Sequence, residues 1–130
     1  MSAMAPVRGF TGWVGPVLGT PDPPGLGRFY ADLLGGELNP RDGEFVTVKL
    51  AGTTYLAFQL EPDHVPPVWP AGPGDQQMQV HLDVGVTDVA SAVTDAEGLG
   101  ATLAEFQPQD DVRVMLDPAG HPFCLYLDEE

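Results

Sequence analysis

Arg28-Phe29-Tyr30-Ala31-Asp32-Leu33-Leu34-Gly35-Gly36 is the stretch that decides the fold. Its apolar positions continue from Leu26 at helical spacing, and Gly35-Gly36 stops the helix because glycine takes a left-handed C-cap without steric cost. Upstream, Gly19-Thr20-Pro21-Asp22-Pro23-Pro24 supplies the start. The Asp22 carboxylate can accept from an orphan N–H of the first turn, where proline has no N–H to leave unpaired. Trp13 to Leu18 reads as a short strand leading in. The product is a strand followed by an amphipathic helix that buries Leu26, Phe29, Tyr30, Leu33 and Leu34.

The same grammar recurs. Met78 to Val86 reads as a strand, Asp88 as an N-cap, and Val89, Ala92, Val93 and Ala96 as an apolar helical stripe ending near Gly98 and Gly100. Asp22 and Asp88 differ by 66 and Gly35 and Gly100 by 65, while Val46, Val48 and Leu50 match Val112, Val114 and Leu116 at an offset of 66. Half of the chain is 65 residues, so this is a duplicated unit, since solenoid repeats are shorter and more numerous. Each unit continues with a short strand, Glu37 to Asn39 or Ala101 to Glu105, and then a hairpin. The hairpin strands are Glu44 to Leu50 with Thr54 to Leu60, and Asp111 to Leu116 with Pro122 to Leu127. Ala51-Gly52-Thr53 and Asp117-Pro118-Ala119-Gly120 make the turns.

The predicted fold class is α+β: two βαβββ modules, about 10–60 and 77–128, forming a curved mixed sheet around a central cavity with helices on its outer face. They make one domain spanning 1–130, because 130 residues are too few for two independent domains. The connection at about 61–76 carries Pro62, Pro66, Pro67, Pro70 and Pro73. It is ordered by Trp69, or else is a flexible linker.

Composition narrows the partners. Nineteen acids against five bases give a net charge of −14, which repels nucleic-acid phosphates and anionic membrane surfaces. The acids are scattered and read as a solvated surface. No apolar run approaches the roughly 18 residues of a membrane span. The lone Cys124 allows no internal disulfide and no signal-peptide core follows Met1, so a cytoplasmic location is expected.

The duplicated unit, the Arg28 to Gly36 helix end, the His81-Leu82-Asp83-Val84 strand with Asp88 after it, and Asp117-Pro118-Ala119-Gly120-His121-Pro122-Phe123-Cys124-Leu125 together resemble the vicinal oxygen chelate superfamily. The likeness is to its glyoxalase-like and bleomycin-resistance-like small proteins, and it covers almost the whole chain. It implies a cavity enclosed by the sheet. Strand alternation then places Val46, Val48, Leu50, Val80, Leu82, Val84, Phe123, Leu125 and Leu127 under the helices. Their neighbours face the cavity, and the expected ligand-binding set is Gln59, His81, Asp83, Arg113, Met115, Cys124 and Tyr126, with Thr47, Lys49 and Ala57 beside them. His81 and Asp83 alternatively satisfy only each other and water in a half-exposed groove.

The resemblance also implies, for metal-using members, His or Glu ligands on the first and last strands of each unit. Here the first-strand position is Gly15, the fourth strand offers Ala57, Phe58 and Gln59, and the second unit has His81 with Cys124 in place of the usual Glu. Two good donors are too few, so no metal and no cofactor are expected. His64 and His121 read as surface or turn-packing residues. Cys124 with His81 suggests a thiolate–imidazole pair, against which stands the usual burial of an unreactive cysteine.

The function expected is binding of a small organic molecule by a homodimer that lacks the family's usual catalytic metal. The alternatives are a lyase, isomerase or dioxygenase of the superfamily rebuilt around His81, Asp83 and Cys124, and a ligand-free protein-interaction module whose cavity is filled by Trp13, Met115 and Tyr126.

Overall fold

The computed structural model describes residues 7–12, 14–52 and 54–128. Trp13, assigned to the first strand and to cavity filling, lies outside them, as does Thr53 of the first hairpin turn. The order is β1 (Val17–Thr20), α1 (Pro23–Leu34), β2 (Glu37–Asn39), β3 (Phe45–Lys49), β4 (Tyr55–Leu60), then β5 (Leu82–Val86), α2 (Val89–Leu99), β6 (Thr102–Leu103), β7 (Val112–Leu116) and β8 (Pro122–Leu127). Two four-stranded mixed sheets result, β1-β4-β3-β2 and β5-β8-β7-β6, each with its first strand parallel to its last. This is the α+β duplication of βαβββ modules that the sequence predicts.

Local chemistry fixes both helices. The Asp22 side chain accepts from Gly25 N at 3.0 Å and the Asp88 side chain from Ser91 N at 3.1 Å, and Gly35 and Gly100 end the helices at φ 71° and 116°. Each helix packs on its own sheet, α1 on β3 and β4 and α2 on β7 and β8, and the two helices touch each other. The core therefore draws on both modules. Tyr30 stacks on Phe58 at 5.6 Å and meets Phe123 of the other module edge-on at 6.0 Å, with Phe29 also 6.0 Å from Phe123. Burying aromatic rings of this size contributes about 1.5–3 kcal/mol each, so neither module keeps its core without the other.

Two strands begin later than the sequence suggests. The first is Val17–Thr20 rather than Trp13 to Leu18, and β5 starts at Leu82 rather than Met78. Both lie parallel to a hairpin strand, with Val17 opposite Ala57 and Leu82 opposite Phe123, and Pro16 just before the first ladder and Pro122 at the head of β8 have no N–H to extend them. Val80 and Leu127, expected under the helices, are 61% and 41% exposed.

Candidate functional site

The sheet faces turned away from the helices carry the clefts. In the first module Val46 and Val48 face α1 with their partners Phe58 and Leu56, so the alternate residues Phe45, Thr47, Tyr55 and Ala57 face the other way. With Gly15, Pro16 and Val17 from the β1 side and Asn39 and Arg41 at the rim, they line a cleft of about 460 Å³. The rim is a built turn. Gly43 N donates to Pro40 O at 2.8 Å, the Asn39 side chain accepts from Arg41 N at 3.2 Å, and Arg41 takes φ 48°. Asp42 accepts from Glu44 N and Phe45 N, and these bonds hold its carboxyl below its ordinary range. This turn sets the Arg41 guanidinium 5.9 Å from the Phe45 ring centre, a cation over an aromatic face.

In the second module His81, Asp83 and Cys124 come together. Asp83 is the register partner of Cys124, and His81 sits two residues earlier on the same face of the chain entering β5. His81 Nε2 lies 2.9 Å from Asp83 Oδ1, and one donor atom from each of the three residues falls within 4.8 Å of the others. His81 and Cys124 line a pocket of about 160 Å³ with Trp69, Met78, Pro108, Gln109, Val114 and Pro122. Trp69 belongs to the proline-rich connection, so the connection walls this pocket, and its indole lies 6.4 Å from Phe106. Burial, then the Asp83 carboxylate, push the Cys124 thiol up, so it holds its proton at neutral pH and is no ready thiolate nucleophile.

The other two histidines join the modules. His121 Nε2–H donates to Gly19 O at 2.7 Å and His64 Nε2–H to Ala119 O at 2.8 Å, with the rings 5.0 Å apart. Their packing role agrees with the sequence reading, although its reach across the module boundary was not visible there.

Of the expected ligand-binding residues, His81 and Cys124 line one pocket with Asp83 beside them, and Tyr126 is half-buried on that same strand face. Arg113 and Met115 are corrections. Met115 is 0% exposed in the core opposite Phe123, and Arg113, opposite Leu125, donates to Gln109 O and Val112 O. Val48 pairs with Leu38 and Leu56 while Met115 pairs with Leu103 and Phe123, so the offset at this strand is 115 − 48 = 67. One residue beyond 66 turns every side chain of β7 to the other face. Val112 and Val114 therefore face the cleft side, and Met115 fills the core, not a cavity. Gln59 is exposed and its amide donates to Glu61 at 2.9 Å, outside both clefts. Sequence reasoning missed Asn39, Arg41, Phe45 and Tyr55. Asn39-Pro40-Arg41-Asp42-Gly43 marks a turn in the sequence, but the positive φ that sets the Arg41 guanidinium by Phe45 has no local signal.

Residues 16–126 match the glyoxalase-like domain family, and the chain belongs to it. No curated protein matches. Similar solved structures include a hypothetical protein from S. aureus (16% identity, 93% of this chain and 97% of that one, TM-score 0.66). A second is a glyoxalase/bleomycin resistance protein/dioxygenase family enzyme from Burkholderia phytofirmans (19%, 84% and 92%, TM-score 0.62). A third is a mutant fosfomycin resistance protein from Listeria monocytogenes, complexed with Mn(II) and a dihydroxypropylphosphonic acid (14%, 90% and 90%, TM-score 0.65). At these identities the likeness is one of fold.

A hard divalent ion such as manganese does not fit the donors present. The first-module cleft is lined by no histidine, cysteine or acid, and the described residues bring together a single group of such donors, His81, Asp83 and Cys124. Hard ions select oxygen ligands, and a thiol replaces them poorly.

Proposed function

We propose that this glyoxalase-like chain binds a small organic molecule carrying an acidic group in the cleft over its first sheet, without a hard divalent ion. The observation that carries the reading is the lining of that cleft. Pro16, Val17, Phe45, Tyr55 and Ala57 supply apolar and aromatic wall, while Asn39, Thr47 and Arg41 supply a few polar groups, the usual makeup of a small-molecule site. Arg41 is the lining's cation in a chain with only five bases, and a guanidinium meets a carboxylate or phosphonate through paired N–H donors. Sequestration, resistance and sensing are the roles such binding serves, in a homodimer within a reducing compartment. No helix among the described residues is long and apolar enough to cross a membrane.

A second reading, an enzyme of the superfamily rebuilt around His81, Asp83 and Cys124, is favoured by their meeting within 4.8 Å. The test is native mass spectrometry of the freshly purified untagged chain beside Thr47→Trp, which fills the cleft floor. The proposal expects an organic adduct on the first that is missing from the second. An adduct retained by Thr47→Trp, or none on either, contradicts it.

A further inference from the structure

We propose that the cavity where the two modules meet, separate from the first-module cleft, is a site for a small organic cation with paired N–H donors on an apolar body, of the amidinium or primary ammonium class. The cavity holds about 280 Å³ and opens between β1 and the proline-rich connection. His64 and His121 both line it, and what they bond fixes their tautomers. Each Nε2 meets a backbone carbonyl, Ala119 O or Gly19 O, and a carbonyl only accepts. In the neutral ring Nδ1 is then a bare acceptor. Neither Nδ1 has a hydrogen-bond partner among the described residues. Neither is sealed from solvent, since Trp69 Nε1 is the one buried, unpartnered side-chain nitrogen or oxygen among those residues.

The walls are fixed before anything binds. Val68 N donates to Gln76 O at 2.9 Å, which folds the connection into two limbs, with His64 and Val65 on one and Gln79 and Val80 on the other. Pro66 packs the first limb onto the turn before β8, where a Cβ on Gly120 would lie 2.7 Å from Pro66 Cβ. Pro66 and Pro67 hold their own φ, so little chain entropy is lost when the cavity fills. Val17, Val65 and Val80 line it at 49%, 61% and 61% exposure, an apolar wall that the body of an organic ligand covers. Charge selects the sign of the ligand. None of the chain's five bases lines the cavity, and the net charge is −14. Glu61 stands against the β1 wall, its Cγ 2.8 Å from where a Cβ on Gly19 would sit. An anion meets two lone pairs and that carboxylate, whereas a cation with two N–H groups meets acceptors. The imidazole rings are 5.0 Å apart, a gap that two hydrogen bonds of about 2.9 Å from one planar amidinium span.

The test is protein-observed NMR of the full chain with benzamidinium beside benzamide and benzoate, which share its shape and differ in charge. The proposal expects benzamidinium to shift the amides of Gly19, Val65, Gln79 and Val80 at least tenfold more than either analogue at equal concentration. It also expects the Nδ1 nitrogen signals of His64 and His121 to move upfield as these atoms accept. Val65→Trp, at an exposed position clear of both histidine bonds, fills the cavity and removes the shifts. His64→Phe keeps a ring, loses the acceptor and weakens binding at least tenfold. No shifts with benzamidinium, equal shifts from benzamide or benzoate, unmoved Nδ1 signals, shifts that survive Val65→Trp, or affinity indifferent to His64→Phe would each overturn it. The two clefts share Val17 alone and their probes carry opposite charges, so this proposal and the first-module reading fail separately.

Discussion

Tyr30 is fully buried, and its hydroxyl donates to Asp117 Oδ2 at 2.7 Å, 87 residues away in the other module. Asp117 Oδ1 accepts from Ala119 N at 2.9 Å and His121 N at 3.0 Å, so one carboxylate ties helix α1 to the turn that carries His121. Burial raises Asp117 above its ordinary value, opposed by the Tyr30 bond, the His121 charge and the turn N–H groups. Burial, and then Asp117, push Tyr30 above its normal range, so its hydroxyl stays a donor. Tyr30→Phe removes that donor from a buried carboxylate and is expected to cost about 1–3 kcal/mol, read from urea midpoints at neutral pH. The pH dependence follows from the raised Asp117. Its contribution is fully present below the ordinary value near 3.8 and is lost as pH rises through the folded value. Asp117→Asn flattens that part of the stability profile, and a profile unchanged by the substitution would contradict the assignment.

At the scale of elements, the two helices are alike in capping but not in how closely they approach their sheets. A Cβ on Gly27 of α1 would lie 2.8 Å from Val46 Cγ1 and 3.0 Å from Leu38 Cδ1, whereas one on Gly98 of α2 would meet nothing within 4 Å. Gly27→Ala is expected to destabilise by about 1–3 kcal/mol through overpacking, more than the helix propensity it gains. Gly98→Ala is expected to stabilise by about 0.5–1 kcal/mol, because only propensity acts. Opposite shifts in Tm check the pair.

Caps and stripes are local, which is why Asp22, Gly35, Asp88 and Gly100 could be read from sequence and with them the duplication. The site was legible only in part, because face depends on register. His81 and Cys124 were placed together since β5 and β8 pair at the expected level. Arg113 and Met115 went to the wrong face because the connection before β7 is two residues longer than its counterpart, taking the offset from 65 at β6 to 67 at β7, one beyond the 66 expected, and nothing local marks that change. Arg41 and Phe45 were overlooked because their meeting depends on the positive φ at Arg41, which a non-glycine residue does not advertise.

On the scale of the molecule, the modules are held by the shared aromatic core, by Tyr30 with Asp117, and by His121 on Gly19. The sheets end at β1 and β5, each laddered on one side only. Open strand edges invite pairing, and a second copy of the chain is the proposed partner. Light scattering at micromolar concentration should give twice the mass of 13.8 kDa, and a single-chain mass unchanged on concentration would contradict it.

The central claim is that the first-module cleft holds an organic acid. The most direct measurement is protein-observed NMR with matched small aromatic carboxylates and their neutral amides. The account predicts that the carboxylates shift the amides of Arg41, Phe45, Thr47 and Tyr55, that the neutral analogues shift them at least tenfold less at equal concentration, and that Arg41→Gln removes the difference. Shifts clustered elsewhere, or no preference for the acids in the wild-type chain, would contradict it.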